Sequence, residues 1–271
     1  MIAPQVAPEI DRLVLSVNGQ AMENDKDELQ ALATEAGLDT LTLLPQVAEF
    51  LLAGRLPPDL AVIRMRYRPP EAIVGRLDEL ASGGFIEETA DGYVATASLR
   101  PVLEAVLASQ AATAASMWSG YSAEVETAAA IARQVIDGTS DDHLVAVVHR
   151  QLPEPTDAYA LLHRRSITLR YIRQHDHAEA WLAEGLTPAD MVILTSLWKG
   201  ERPEASEDAA SLVARGLVRQ DFGGLTDDGF ELREAIEAET NRRAQSSFDV
   251  LDEATANEFL SVVRRIPGEV D

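Results

Sequence analysis

Apolar positions recur with helical spacing along most of the chain, but two short segments alternate instead. Ile73, Leu77 and Leu80 lie on one face of a segment that opens with prolines and closes at a glycine pair, which predicts a helix over about 69–82. "FIEE" and "YVAT" then flank "TADG", which predicts a hairpin over about 85–96. A helix, a glycine stop, a hairpin and a further helix form the order of a winged helix, with a recognition helix and a wing.

The same pattern recurs in outline about 132 residues later, where "AASLVARGLVRQ" repeats the outline of "DELASGGFIEE". At this offset Leu80 pairs with Leu212 and Gly84 with Gly216, and a second wing two residues shorter places Thr226 opposite Thr96. We therefore predict a mainly α fold with two small β-wings. It is built as two tandem winged-helix domains in a pseudo-two-fold arrangement that resembles a dimer within one chain.

Proline and glycine punctuation predicts three segments in the chain of 271 residues. Residues 1–120 hold the N-terminal helices and the first winged helix, and 121–157 form a helical linker region. Residues 158–271 hold a basic helix, a second, degenerate winged helix at about 187–248, and a C-terminal helix. The turn residues in "NGQAMEND" also predict a break between two N-terminal helices.

Several further motifs carry a resemblance to a known family. They are the connector "LPEPTD", the helix "LLHRRSITLRYIRQHDH", and the segments "GLTPADMVIL", "VARGLV" and "LTDDGFELREAIEAET". The first half resembles a MarR-type winged helix, and the whole chain resembles the SalK-like tandem helix-turn-helix proteins of actinobacteria. That family carries an Arg, His, Gly, Asp, Gly, His run where this chain has the shorter "RQHDH". The resemblance implies the fold of a transcriptional regulator, with two MarR-like domains.

The net charge of −22 changes this picture, because proteins that bind DNA usually gain affinity from surplus Lys and Arg. Residues 66–91 of the first winged helix contain three bases and six acids, and residues 204–231 of the second contain two bases and seven acids. The second recognition helix, predicted in "PEASEDAASLVA", begins with acids, and Asp208 stands where the first has Arg76. Any DNA contact is therefore expected through the first winged helix.

Four arginines cluster before and within the first recognition helix, where MarR-type proteins contact bases and phosphates. The DNA-binding candidates are Arg64, Arg66, Arg68 and Arg76. The alternative is that these arginines form ordinary surface ion pairs with Glu71, Asp78 and Glu79.

The basic helix that follows the connector has four arginines between His163 and Arg173. These bases spread around the helix, which favours internal ion pairs in an acidic protein over a DNA-facing stripe. A pocket for a small anionic or aromatic ligand between the two domains is the further possibility, by analogy with MarR-like sensors. The residues we select for it are Trp118, Tyr121, Arg165, Tyr171, Arg173 and His175.

Catalytic and metal motifs are not found in the sequence. The chain has no cysteine and none of the phosphate-loop or nucleophile motifs of enzymes, so we predict that it is not an enzyme and has no cofactor. Adjacent residues on a helix cannot easily turn both imidazoles of "HDH" toward one ion, and no metal site is predicted. The apolar runs are too short for a signal peptide or a membrane span, which predicts a cytoplasmic protein without a membrane partner.

Two functions remain open at this point. The first is a MarR-like transcriptional regulator that responds to a ligand or a partner and contacts DNA through the first domain. The alternative is a small-molecule-binding or protein-interaction protein that has kept the tandem scaffold without binding DNA. An acidic surface would then suit a basic protein partner. Either protein is expected to be a monomer or a homodimer.

Overall fold

The computed structural model describes residues 1–201 and 207–268, which form helices and one two-stranded antiparallel sheet. None of the helices in these ranges has an apolar stretch long enough to cross a lipid bilayer. The elements in chain order are α1 (Ala3–Glu35), α2 (Leu44–Ala53), α3 (Pro58–Arg64), α4 (Pro70–Ser82), β1 (Ile86–Thr89), β2 (Gly92–Ala95), α5 (Arg100–Trp118), α6 (Ser122–Gly138), α7 (Leu144–Arg150), α8 (Ala158–Ala183), α9 (Pro188–Trp198), α10 (Glu207–Ala214), α11 (Asp227–Phe248) and α12 (Glu253–Arg265).

Residues 44–95, which we call the first head, contain three helices followed by a hairpin. Proline opens each of the three helices, where its missing N–H costs no hydrogen bond. Strands β1 and β2 pair in antiparallel register, and Leu56 adds a bridge to Tyr93 at the edge of the hairpin. Gly92 is required there, because a Cβ would lie 2.5 Å from the Leu56 carbonyl oxygen. Helix α4 and the hairpin lie where the sequence predicts a recognition helix and a wing.

Residues 188–225, which we call the second head, repeat part of this local structure. Gly84 and Gly216 follow α4 and α10 with φ of 76° and 74°, the left-handed conformation that ends a helix. Thr96 Oγ1 donates to the Gly84 carbonyl at 2.9 Å, and Thr226 Oγ1 donates to the Gly216 carbonyl at 2.6 Å. The second hairpin is reduced to a single bridge between Val218 and Leu225. The start of the second predicted recognition helix, residues 202–206, lies outside the described residues.

Helix α1 is continuous, and the predicted break at "NGQAMEND" is wrong. Gly19 lies inside the helix on its exposed side, while Val14, Val17 and Ala21 are buried. Helix α1 packs along α5 and α8. A glycine in a helix interior costs about 1 kcal/mol relative to alanine, and burial of the apolar stripe on the other side outweighs this cost.

Apolar side chains form two cores that α8 connects. The larger core contains residues from α1 to α7, the first half of α8, and α12; the smaller one contains the end of α8 together with α9, α10 and α11. Helix α12 returns to pack against α6 and α1 rather than against the second head. Helix α8 therefore contributes side chains to both cores. The division at residues 120 and 157 stays a prediction.

Candidate functional site

Arg64, the first of the four predicted DNA-binding arginines, lies in the interior. It ends α3 on the same face as Leu60 and Ala61, and only 6% of its surface is exposed. Its guanidinium lies 3.7 Å from the centroid of the Tyr171 ring and donates to His149 Nε2 at 2.8 Å. A side chain held in this way faces the protein core and is not available for contact with DNA.

Arg66 is half-buried in the turn after α3 and contacts α8. It donates to Glu179 at 3.2 Å and to His175 Nδ1 at 2.8 Å. Because arginine only donates, His175 Nδ1 is the acceptor and the proton lies on Nε2. Burial, with His143 and Arg66 nearby, lowers the pKa of His175 to about 4. Arg66 therefore fastens the first head to α8.

Arg68 and Arg76 remain on the surface of the first head. Arg68 is exposed in the turn before α4, and Arg76 is partly exposed on α4, where it pairs with Glu79 at 2.9 Å. These two are the predicted DNA-binding residues that the structure leaves facing outward.

A comparison of the chain with protein families concerns the part that begins at the end of α4. A model of a helix-turn-helix family matches residues 80–270, well over half of the chain. The chain belongs to this helix-turn-helix family. No curated protein and no solved structure matches it. Membership favours a regulator, commonly one that binds DNA, over an enzyme.

The outward surface of the first head in this helix-turn-helix protein is acidic. Helix α4 buries Ile73, Leu77 and Leu80 and exposes its opposite face. That face and the hairpin expose six carboxylates, namely Glu71, Asp78, Glu79, Glu87, Glu88 and Asp91. Each phosphate contact is favoured by a cationic donor, and carboxylates near phosphates are repelled. The first head has the fold of a helix-turn-helix domain, but its charge opposes close approach to DNA.

The arginines of α8 point to acids within the protein, as the spread of bases around this helix predicts. The pairs are Arg164 with Glu49 at 3.1 Å, Arg165 with Glu154 at 2.7 Å, Arg170 with Asp11 at 2.9 Å, and Arg173 with Glu237 at 2.9 Å. Helix α8 thus forms ion pairs with α1, α2, the connector and α11. Its arginines do not form a continuous basic surface facing solvent.

The six residues selected for a ligand pocket do not meet at one place. Trp118 is fully buried and donates to the Pro267 carbonyl at 3.0 Å, while Tyr121 lies at the exposed start of α6. Tyr171 is covered by Arg64, and Arg165 and Arg173 are occupied by their ion pairs. His175 accepts the hydrogen bond from Arg66 described above. None of these six lines the cavity described next.

That cavity has a volume of about 470 Å³ and lies between the first head and the central helices. Its wall comes from α2, the end of α3, α5, the connector "LPEPTD" and α8. The apolar part includes Leu52, Leu107 and Ile167, and the polar part includes Glu49, Arg64, Gln110, His163 and Arg164. Both its size and its mixture of apolar lining with a few polar groups are typical of small-molecule sites.

Several polar atoms in this wall are buried without a hydrogen-bond partner among the described residues. They are Glu49 Oε1, Arg64 Nε, His163 Nε2 and Arg164 Nη2. Burial alone lowers the pKa of His163 to about 4, so its imidazole is neutral near pH 7. Arg164 is held in place by Glu49 through Nε and by the Pro153 carbonyl through Nη1. Unpaired buried polar atoms are rare and costly, and several of them lie together in this wall.

A chain of hydrogen bonds orients the buried end of Arg64. Since Arg64 donates to His149 Nε2, the His149 proton lies on Nδ1 and is donated to Thr168 Oγ1 at 2.8 Å. Thr168 in turn donates to the Arg164 carbonyl at 3.1 Å. Burial, with Arg64 and Arg164 nearby, keeps the pKa of His149 well below its usual value. The first head is thus connected by hydrogen bonds to the helix that carries His163 and Arg164.

The histidines of "HDH" diverge. His175 faces Arg66 and the His143 ring, whose centroid is 4.3 Å away, whereas His177 bonds to Thr240 Oγ1 at 2.9 Å. Over residues 1–201 and 207–268, no three His, Asp or Glu side chains are arranged to hold a metal ion.

Sequence reasoning missed Glu49, His163 and Arg164 as site residues. The sequence predicts Arg64 as a DNA contact, Arg164 as part of an internal ion pair, and the connector as the end of the linker region. The available signal for Arg64 was its spacing from Leu60 and Ala61, which places it on the buried face of α3.

Proposed function

We propose that this chain is a MarR-like, ligand-responsive transcriptional regulator with two tandem winged-helix heads, in which the 470 Å³ cavity is the ligand site. The observation that carries the proposal is the joint wall of that cavity. Helix α2 and Arg64 of the first head form one side, and α8, which runs between the two cores, forms another. A ligand there contacts both the first head and α8, so its binding can change how the two are arranged, as a ligand-responsive regulator requires.

The tandem arrangement is supported by matched details of the two heads. Leu80 and Leu212 are both buried, and each is followed by a left-handed glycine whose carbonyl accepts a hydrogen bond from a threonine just beyond its head. In this proposal the second head is a degenerate copy of the first with a shorter wing. The two heads are related by a pseudo-two-fold axis, as the two subunits of a dimer would be.

The DNA contact in this proposal is made by Arg68 and Arg76 of the first head. Arg68 lies in the turn before α4 and Arg76 lies on α4, the helix that would enter the major groove. Arg66 lies beside them and holds the first head to Glu179 and His175 of α8, so a movement of α8 is transmitted to α4.

The test is selection of bound fragments from the host genome at low ionic strength, with wild type and Arg68→Ala/Arg76→Ala. The matched control is Arg242→Ala/Arg264→Ala, which removes the same charge from exposed positions on α11 and α12. We expect the first variant to recover at least tenfold less specific DNA than the control, because two phosphate or base contacts are lost. Equal recovery by all three proteins would contradict the assignment of α4.

A second candidate function has its own observation. The six exposed carboxylates of α4 and the hairpin suit a basic protein partner better than DNA. In that case the chain is a small-molecule-binding or protein-interaction protein on a helix-turn-helix scaffold. Wild type that recovers no DNA above background, at any salt concentration, would favour this second function.

A further inference from the structure

The wall of the cavity holds two arginines, Arg64 and Arg164, and two glutamates, Glu49 and Glu154. Glu49 is the sole carboxylate shared by Arg64 and Arg164 in the described residues, at 3.9 Å and 3.1 Å. The other lining carboxylate, Glu154, is already bound by Arg165 and Arg133 outside the cavity. One guanidinium charge of the wall is therefore left without a counter-charge.

Both arginines of the wall have N–H donors that lack an acceptor within the described ranges. Arg164 Nη2 and Arg64 Nε are donors without acceptors in the described part of the chain, and His163 Nε2 is unpaired beside them. Buried guanidinium groups bind anionic oxygens in preference to neutral ones. Glu49 Oε1 is an acceptor without a donor, and a hydroxyl or N–H on the same ligand has a partner there.

The remaining surface of the cavity is apolar. Leu52, Leu107 and Ile167 supply it together with alanines and prolines. A small inorganic anion would leave this surface and most of the 470 Å³ unfilled, whereas an apolar body gains free energy from burial.

We propose that the cavity binds an amphipathic organic monoanion, with its anionic group at Arg164 and its apolar body along Leu107 and Ile167. This inference rests on the proposed function in taking the cavity as the ligand site. It names the class of ligand that this site accepts.

The probe is 8-anilinonaphthalene-1-sulfonate, and its matched control is N-phenyl-1-naphthylamine, which has the same rings without the anionic group. Titration of each into the folded full-length protein, followed by fluorescence, gives the two dissociation constants. We expect the sulfonate to bind at least tenfold more tightly, because one charge-assisted contact to Arg164 is worth about that factor. Equal affinity for the two probes, or no binding of the sulfonate, would overturn the proposal.

Two charge variants test the position of the anionic group. Arg164→Gln should weaken binding of the sulfonate about tenfold and leave the neutral probe unchanged, whereas the exposed control Arg242→Gln changes neither. Glu49→Gln should tighten binding of the sulfonate, because it removes the charge that competes for Arg164. A preference for the anion that survives Arg164→Gln, or that Glu49→Gln reduces, would contradict the assignment.

A pair of neutral variants keeps the test decisive if loss of Arg164 prevents folding. Ala111 lines the cavity, and its neighbour Ala112 is exposed on the same helix. Ala111→Leu should abolish binding of both probes, and Ala112→Leu should leave both unchanged. Binding to Ala111→Leu at the wild-type level would refute the location. None of these measurements involves DNA, so loss of the DNA-binding proposal and loss of this one are separate results.

Discussion

His163 should destabilise the protein at neutral pH, and His163→Leu should therefore stabilise it. The imidazole is 4% exposed, and its Nε2 has no partner in the described residues. A buried polar atom without a hydrogen bond costs about 1–3 kcal/mol. Leucine is of similar size and contributes apolar contacts, so we expect the free energy of unfolding to rise by about 2 kcal/mol at pH 7.5.

The stabilisation should grow as the pH falls. Burial lowers the pKa of His163 from an ordinary value of 6.5 to about 4, so the unfolded chain takes up a proton before the folded one does. The stability that depends on this neutral imidazole is present above pH 6.5 and is lost as the pH falls toward 4. At pH 5.5, one unit below the ordinary value, the loss amounts to about 1.4 kcal/mol. The leucine variant has no such proton, so its advantage should be about 1.4 kcal/mol larger at pH 5.5 than at pH 7.5.

Urea unfolding followed by tryptophan fluorescence at pH 7.5 and pH 5.5 measures both quantities. The matched comparison is His177→Leu. Burial also lowers the pKa of His177 to about 4, but its Nδ1 is bonded to Thr240. That variant should lose the same pH dependence, yet be less stable than wild type at pH 7.5, because the Thr240 contact is lost. A destabilised His163→Leu, or an equal difference from wild type at both pH values, would refute the reasoning.

The remaining predictions concern glycines, and thermal or urea unfolding checks each of them. Gly229→Ala should cost at least about 2 kcal/mol of stability, because the new Cβ would lie 2.0 Å from the Leu217 carbonyl oxygen. A tolerated Gly229→Ala would contradict the close packing of α11 on the second head. Gly19→Ala, in open space on α1, should instead add about 1 kcal/mol of stability. Gly84→Ala and Gly216→Ala should each cost about 1 kcal/mol, since both glycines are left-handed with space around them. A clear difference between these two costs would argue that the heads do not share one helix stop.

The repeated local structure was predictable because it depends on residues close together in sequence. Gly84 and Gly216 end their helices through backbone conformation, and Thr96 and Thr226 bond back to those glycines. Neither feature needs the rest of the protein. The break predicted near Gly19 failed for the opposite reason, because contacts of α1 with α5 and α8 decide that region.

The candidate site was not predictable from local patterns. Glu49 comes from α2 and Arg164 from α8, and only the packing of the two helices across the cavity brings them together. A charge on a helix surface has the same sequence signature whether it faces solvent or another helix. Arg64 was the exception, since its spacing from Leu60 and Ala61 already placed it on the buried face of α3.

The interior arginines also account for the acidic exterior. Arg64, Arg164 and Arg165 are largely buried and paired within the protein, so their charge does not offset the exposed carboxylates of α4 and the hairpin. Arg64 and Arg164 also line the cavity, whereas Arg165 does not. An arginine that lines the cavity, such as Arg64, is not available to the surface of the first head. Of the four arginines before and within α4, Arg64 and Arg66 are engaged in the interior while Arg68 and Arg76 face outward, so the first head has little positive charge with which to bind phosphates.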